Sequence, residues 1–386
     1  MRMKAKGVEN VLVTGGAGFI GSHTVDALIT KGYKVTVLDN LEPQVHGTGT
    51  KPPGYLTSEA IFIRGSMQDR ELVKEVVLNA DAVIHLAAMV GVGQSMYQVE
   101  RYVDANTRGT SILLDVLANE DHGVKRIVVA SSMSIYGEGK YRCEKCRVDV
   151  FPQLRPEKQL DEKKWEHMCP DCGTPVVPVA TDESKPLQPT SVYAQSKRHQ
   201  EEMTLLIGET YGIPAVALRY FNAYGSRQAL SNPYTGACAI FSNRILNRKP
   251  PYIFEDGRQL RDFIHVKDVA EANVLALEKT SANYVALNIG TGKPTSILDL
   301  ANTLIELYGA DVRSMNPEIP GTYRKGDIRH CFADVSKASN QLGFRAKIGL
   351  KEGLLELSRW AEEQGWGEGD LFDRALEELK QRGLSK

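Results

Sequence analysis

The chain has 386 residues, 42% hydrophobic and 25% charged, which excludes a disordered or fibrous polypeptide and leaves material for roughly two to three domains. Lysine plus arginine total 47 against 48 aspartate plus glutamate, a formal charge of -1, so no general basic field exists to hold a polyanion and no nucleic-acid partner is expected. No apolar run nears the ~18 to 20 residues that cross a bilayer, and the first residues lead into a strand-like Val11-Leu12-Val13 rather than a signal-peptide core. The expectation is a cytoplasmic protein with no membrane association.

In chain order, residues 11–14 form a short apolar run, followed by a glycine-rich turn and a helical stretch over 21–30. Strand-like segments recur at 34–39, 60–64, 82–87 and 126–130, with helix-like stretches at 69–79 and 99–119 between them. A further helix over 191–211 and a buried strand over 215–219 continue the alternation. Short apolar strands separated by helices predict an α/β fold, a Rossmann-like doubly wound parallel sheet covered on both faces. From about residue 224 the elements shorten, with regular helices again at 296–308 and 350–364, which predicts a smaller C-terminal domain. The expected division is 1–222 and 223–386, with residues near 261–280 packing back on the first domain. A tail over 372–386 continues from Leu371 with Ala375, Leu376 and Leu379 at helical spacing.

The turn Gly15-Gly16-Ala17-Gly18-Phe19-Ile20-Gly21 puts glycines at the first, fourth and seventh positions between a strand and a helix. Such a turn brings backbone amides and the positive end of a helix dipole against a pyrophosphate. Asp39 ends the next strand 18 residues after Gly21, where a carboxylate can accept hydrogen bonds from a ribose. Asp39 followed by Asn40, with no adjacent arginine, favours NAD over NADP.

Two further segments carry chemistry. Ser131-Ser132-Met133-Ser134-Ile135-Tyr136-Gly137 follows a strand, and Tyr193-Ala194-Gln195-Ser196-Lys197 opens a helix on which residues four apart share a face. The Lys197 ammonium can then lie beside the Tyr193 phenol and lower its pKa, ordinarily ~10, so that Tyr193 serves as a base toward a substrate hydroxyl. A tyrosine and lysine so spaced also occur idly on exposed helices; the preceding glycine turn favours an active site.

Residues 138–180 break the alternation. They carry Cys143-x-x-Cys146 and Cys169-x-x-Cys172, the pairs separated by 22 residues, a spacing that suits four thiolates around a structural zinc in a zinc-ribbon-like insertion. Redox-active or unliganded thiols are the alternatives. Because the insertion leaves after Tyr136 and returns before Tyr193, it is expected to form a rim or lid over the active site. The basic residues Arg142, Lys145, Arg147 and Arg155 are offset by nearby acids, which argues against nucleic-acid binding by the insertion.

The motifs named above resemble the extended short-chain dehydrogenase/reductase family, in particular its nucleotide-sugar epimerases and dehydratases. The likeness extends to His85-Leu86-Ala87-Ala88, Asn106-Thr107-Arg108-Gly109-Thr110, Leu218-Arg219-Tyr220-Phe221-Asn222, Arg261-Asp262-Phe263-Ile264-His265 and Arg324-Lys325-Gly326-Asp327. The resemblance implies tightly bound NAD held by Gly15, Gly18, Phe19, Ile20, Gly21, Asp39, Asn40, Ser66, Met67, Leu86, Ala87, Ala88, Asn106, Tyr193 and Lys197. Ser66 stands where the family usually has an acid at the adenine. It also implies catalysis by Ser132, Tyr193 and Lys197, and a nucleoside-diphosphate sugar contacted by Ser132, Asn222, Arg261, Arg324 and Cys331. Dehydratases of the family carry an Asp-Glu pair after the catalytic hydroxyl; here Met133 and Ser134 occupy those positions, which leaves epimerisation at C4. The wording of the chain is nearest to the branch that acts on dTDP-L-rhamnose, with a UDP-hexose or UDP-uronate as alternative and a non-catalytic NAD-sensing protein as the reading from another class. Family members commonly form homodimers through helices matching 99–119 and 191–211.

Overall fold

The computed structural model describes residues 5, 7–234, 236–309, 311–364 and 371–386. Five short strands come first: β1 (Asn10–Thr14), β2 (Lys34–Asp39), β3 (Ile61–Arg64), β4 (Ala82–His85) and β5 (Ile127–Ser132). Three belong to the cysteine-bearing insertion: β6 (Lys140–Cys143), β7 (Val148–Val150) and β8 (Val177–Val179). Then follow β9 (Ala215–Tyr220), β10 (Asn222–Tyr224), β11 (Leu260–His265), β12 (Val285–Ile289), β13 (Pro294–Ser296) and β14 (His330–Cys331).

Seven strands pair in parallel in the order β3-β2-β1-β4-β5-β9-β12. Every residue of β4, β5 and β9 is buried, because helices cover both faces of a parallel sheet and leave no polar side. One face packs against the helices Phe19–Thr30 and Val266–Glu278, the other against Arg70–Leu78 and Gly109–Asn119. Strand order reverses between β1 and β4, so a crevice opens beyond their carboxyl ends, the usual place for a ligand in a doubly wound sheet.

The chain crosses the expected division at residue 222 more fully than its composition suggests. The helix Val266–Glu278 lies on Phe19–Thr30, where Asn273 Nδ2 donates to Thr24 Oγ1 at 3.0 Å, and β12 then adds the outermost strand beside β9. The return therefore extends past 261–280 to residue 289, because the apolar Val285–Ile289 can only be buried as a sheet strand. The remaining C-terminal part builds its own core from the helices Ala237–Leu246, Ile297–Leu307 and Leu350–Glu363 against β11.

The helix expected over 99–119 is three pieces: Val99–Tyr102, a π-helical turn Val103–Arg108 and Gly109–Asn119. The wider turn presents the Asn106 side chain to a loop instead of to the helix face. Its Oδ1 accepts from Met89 N at 2.7 Å, and its Nδ2 donates to Met89 O at 3.0 Å and Ser196 Oγ at 2.9 Å. Such turns are rare in helices and concentrate at functional sites.

The insertion forms a three-stranded antiparallel sheet in the order β7-β6-β8. Its small core comprises Tyr141, Val150 and Val176 together with the four cysteines. The tail helix Leu371–Gln381 lays Phe372 and Leu376 on Tyr252. Its Glu378 accepts hydrogen bonds from Tyr97 at 3.1 Å and Tyr234 at 3.4 Å, and Lys386 exchanges backbone hydrogen bonds with Tyr323 at 2.8 and 3.0 Å. Among the described residues no helix is long and apolar enough to cross a membrane.

Candidate active site

A cavity of about 580 Å³ occupies the crevice beyond β1 and β4. Gly15, Gly18, Phe19 and Ile20 line it at the first turn, Asp39 and Asn40 at the end of β2, Ser66 and Met67 after β3, and Leu86, Ala87 and Ala88 after β4. Gly15 has φ of 69°, and a Cβ there would lie 2.8 Å from the backbone of Ala87. Gly18, at the N-cap of the helix Phe19–Thr30, contributes no side-chain cap, so the amides of the first turn face the cavity without a competing protein acceptor. Asp39 accepts Ala17 N at 3.0 Å on one oxygen and Leu41 N at 2.9 Å on the other, which fixes the carboxylate and leaves each oxygen a further lone pair. These features fit the diphosphate and ribose of NAD.

Two residues expected at the cofactor do not line the cavity. Asn106 has its amide committed to Met89 and Ser196, so it shapes the loop that does. Gly21 is buried in the turn, where a Cβ would sit 2.1 Å from Gly15 O. Its role is close packing of helix on turn. A Gly21→Ala chain is expected to purify with about a tenth or less of the NAD of the unchanged protein, since overpacking of this kind costs about 1–3 kcal/mol and displaces the Gly15 carbonyl. NAD content of the denatured, deproteinised sample measures this; unchanged content would contradict the placement.

Ser132, Tyr193, Lys197 and Asn222 also line the cavity. Ser132 ends β5, and Tyr193 stands in the first turn of the helix Val192–Thr210, which starts because Ser191 Oγ accepts Ala194 N at 3.1 Å. Ser132 Oγ accepts from Ser134 N at 3.2 Å and Ser134 Oγ at 2.9 Å, and the nearby serine hydroxyl favours the Tyr193 phenolate. Ser134, which the sequence marks only as a missing acid, thus orients the serine.

The expected effect of Lys197 on Tyr193 needs correction. Burial pushes the Tyr193 phenol above its usual value, and the opposing influence is Ser132. Lys197 Nζ donates instead to Ala130 O at 2.9 Å and Gln200 Oε1 at 2.8 Å, while burial brings its own pKa down to about 7. Gln200 continues to Thr110 Oγ1 at 2.7 Å, and His85 joins Thr110 at 2.9 Å and Thr14 at 2.7 Å. His85, held by burial and the Lys197 charge at about 3, stays neutral in this buried relay.

A lysine near 7 in the fold and near 10.5 in the unfolded chain makes the unfolded state bind the additional proton between those values. Its penalty on stability is therefore complete below pH 7 and fades as pH rises toward 10. The stability of the unchanged protein minus that of Lys197→Met is expected to increase from pH 7 to pH 10. Thermal midpoints at several pH values test this, and parallel curves would refute it.

Among the described residues, Ser131 Oγ and Asn222 Oδ1 are buried atoms of cavity-lining residues with no hydrogen-bond partner. Burial of a polar atom is costly unless a partner is supplied, and a ligand in the cavity can supply one to each. Asn222 was expected from the sequence; Ser131 was passed over because its neighbour Ser132 matched the motif.

Arg261, Arg324 and Cys331 do not line the cavity. Arg261 donates to the carbonyls of Leu260 and Arg329 at 2.9 Å and of Ile328 at 2.6 Å. Arg324 donates to Asp327 at 2.7 Å and lies over the Phe254 ring at 4.5 Å. Cys331 is buried behind Met133 and Phe221, which do line the cavity. No residue of the insertion lines it either, so the insertion forms no part of the cavity wall.

The insertion brings Cys143, Cys146, Cys169 and Cys172 together, with all four sulfurs within 4.8 Å of one another. The Cys143–Cys172 and Cys146–Cys169 separations are 3.5 and 3.9 Å, near the roughly 3.8 Å between thiolates tetrahedral about zinc at ~2.3 Å. Arg147 and Gly173, with φ of 60° and 67°, turn the chain behind each pair.

The profile of the NAD dependent epimerase/dehydratase family matches residues 11–156 and 167–290, with the break inside the insertion. The chain belongs to this family and is an enzyme with NAD as its cofactor. A dTDP-L-rhamnose 4-epimerase of Burkholderia thailandensis is 34% identical over 91% of the chain and 94% of its own length. A UDP-glucose 4-epimerase of Bacillus subtilis is 32% identical over 91% and 96%. The UDP-glucose 4-epimerase of Thermotoga maritima, solved with UDP-glucose, superposes with a TM-score of 0.74 at 31% identity, covering 92% of this chain and 99% of that one. The UDP-glucuronic acid 4-epimerase of Bacillus cereus, solved with UDP-glucuronic acid and NAD, gives 0.74 at 27% identity over the same shares. Within the family, the chain falls in the nucleotide-sugar 4-epimerase branch.

Proposed function

We propose that this enzyme inverts C4 of a nucleoside-diphosphate sugar through a transient 4-keto sugar, and that the sugar is dTDP-L-rhamnose. The observation that carries the chemistry is the meeting of Tyr193, hydrogen-bonded Ser132 and buried Lys197 in one cavity with the glycine turn and Asp39, with no carboxylate pair after Ser132. Bound NAD supplies reversible hydride acceptance there; Gly15, Gly18 and Asp39 hold it. Tyr193, directly or through Ser132, removes the C4 hydroxyl proton and later returns it, and Lys197 and Gln200 anchor the floor beneath them. Met133 and Ser134 offer no acid and base for loss of water, so the 4-keto sugar has reduction as its exit. The choice of dTDP-L-rhamnose rests on the Burkholderia relative; the UDP-sugar relatives make a UDP-hexose or UDP-uronate the second reading.

Asn222, Arg261 and Arg324 are assigned to the diphosphate and nucleotide, Arg261 and Arg324 by swinging from their present partners. The four cysteines are assigned one structural zinc, with all four positions taken by protein and none open to substrate. Exposed Val99, Val103 and Leu206 on the helices of the first domain are assigned to a homodimer.

Purified protein is incubated, without added NAD, with dTDP-L-rhamnose, UDP-glucose and UDP-glucuronate. Appearance of the C4 epimer of dTDP-L-rhamnose at the highest kcat/KM is the expected result. Preference for a UDP-sugar overturns the base and sugar, accumulation of NADH points to a dehydrogenase, and no turnover of any sugar to a regulatory protein.

A further inference from the structure

The insertion and the substrate side of the fold share a buried set of charges that lies outside the cavity. Glu138, one residue past the turn that follows Ser132, has a fully buried side chain whose carboxylate accepts Arg329 N at 2.8 and 2.9 Å and Tyr141 Oη at 2.9 Å. Arg155, 1% exposed in its side chain, grips Glu255 with both arms at 2.8 and 2.9 Å and donates a further bond to Asp327 O at 3.1 Å. Arg329, fully buried, binds Glu255 at 2.9 Å, Asp256 at 2.6 and 2.9 Å and Glu166 at 2.6 and 3.0 Å. Glu138, Arg155 and Glu166 come from the insertion; Glu255, Asp256 and Arg329 do not.

The partners of these groups are what hold the two arginines assigned to the diphosphate. The Asp327 carbonyl takes Arg155 while its carboxylate takes Arg324 at 2.7 Å, and the ring beneath Arg324 is Phe254, next to the Glu255 that Arg155 clasps. The Arg329 amide takes Glu138 while its carbonyl, with that of Ile328, takes Arg261. A bidentate Arg–carboxylate pair out of water fixes orientation as well as distance, which a lone lysine cannot.

We propose that the insertion is a positioning device for the nucleotide diphosphate: Arg155 and Glu138 fix the Phe254–Glu255 and Asp327–Arg329 segments against which Arg324 and Arg261 are held for the ligand. This rests on the assignment of those two arginines above. The insertion acts from outside the cavity lining, so it sets how tightly the nucleotide is held without touching the reacting carbon.

The test uses full-length, zinc-loaded protein. Arg155→Met is expected to raise KM for the nucleotide sugar, and Kd for dTDP or UDP measured by calorimetry, by about tenfold, with kcat within about threefold and with NAD and zinc contents unchanged. Arg155→Lys is expected to recover only part of the loss. Should Arg155→Met not fold, Glu166→Gln, on a half-exposed side chain that touches Arg329 and His330, is expected to raise the same Kd by about threefold. A lowered thermal midpoint with unchanged Kd and KM in these variants would reduce the network to a stabilising contact and overturn the proposal. Unchanged protein that binds neither dTDP nor UDP would overturn the nucleotide-sugar reading with it. Turnover by the unchanged protein with no effect of the variants removes the positioning role alone.

Discussion

Replacement of Tyr193 by phenylalanine is expected to lower kcat for C4 epimerisation by about 10³-fold while NAD content and thermal midpoint stay as they are. The ring does the packing: it meets Tyr102 edge-on at 6.4 Å and sits with Met89 in a small apolar cluster, and phenylalanine keeps both contacts. What is lost is one oxygen, the phenol whose ionisation Ser132 favours. Because burial raises the phenol and Ser132 opposes that rise, Ser132→Ala is expected to act in the same direction with a smaller effect, moving the ascending limb of the pH–rate profile, on which Tyr193 loses its proton, to higher pH. Epimerisation by Tyr193→Phe within tenfold of the unchanged enzyme would remove Tyr193 from the proton path.

Cys169→Ser is expected to take zinc from about one per chain to none and to open the insertion. Binding of zinc by four thiolates is worth about 10–16 kcal/mol in small zinc-finger peptides. Here the sulfurs are also most of the local core, since only Tyr141, Val150 and Val176 accompany them. Three side chains offset little of the ordering of the strands around the cysteines, so without metal the insertion stays tied down at Glu138 and Arg155 while the cysteine-bearing sheet opens. Limited proteolysis followed by mass spectrometry should find new cuts between β7 and β8 while the seven-stranded sheet resists. Reduced, unblocked protein that lacks zinc yet resists proteolysis there would contradict the assignment. The same variant should weaken nucleotide binding, because Arg155 and Glu166 sit between the two cysteine pairs.

What the sequence discloses is what spacing alone determines. The glycine turn, Asp39, the Ser132 and Tyr193 segments and both cysteine pairs are local patterns, each between neighbouring elements; the first four meet where the strand order reverses, and the cysteine pairs meet each other in the insertion. The rest depends on partners far along the chain. Nothing near Ile328-Arg329-His330 announces an arginine enclosed by Glu166, Glu255 and Asp256, the first of these 163 residues away. The π-helical turn at Val103–Arg108 hides inside an ordinary helical pattern, and β12 looks like any short apolar run until β9 is there to receive it. The direction of the Tyr193 shift was read from a lysine four residues away, whereas burial, which no spacing reports, outweighs it. For Arg261, Arg324 and Cys331 the family resemblance points to substrate, whereas the fold has their side chains engaged elsewhere or outside the cavity lining.

The tail helix Leu371–Gln381 has a consequence for the order of events at synthesis. Glu378 reaches back across 281 residues to Tyr97 and 144 to Tyr234, and Lys386 pairs with Tyr323 beside Arg324. Contacts so distant in sequence close late. All seven strands of the sheet, and with them much of the seat for NAD, have been translated by residue 289, whereas the flank between Tyr97 and Tyr234 is sealed by residues translated later. A nascent chain can thus acquire its cofactor well before its sugar side is closed.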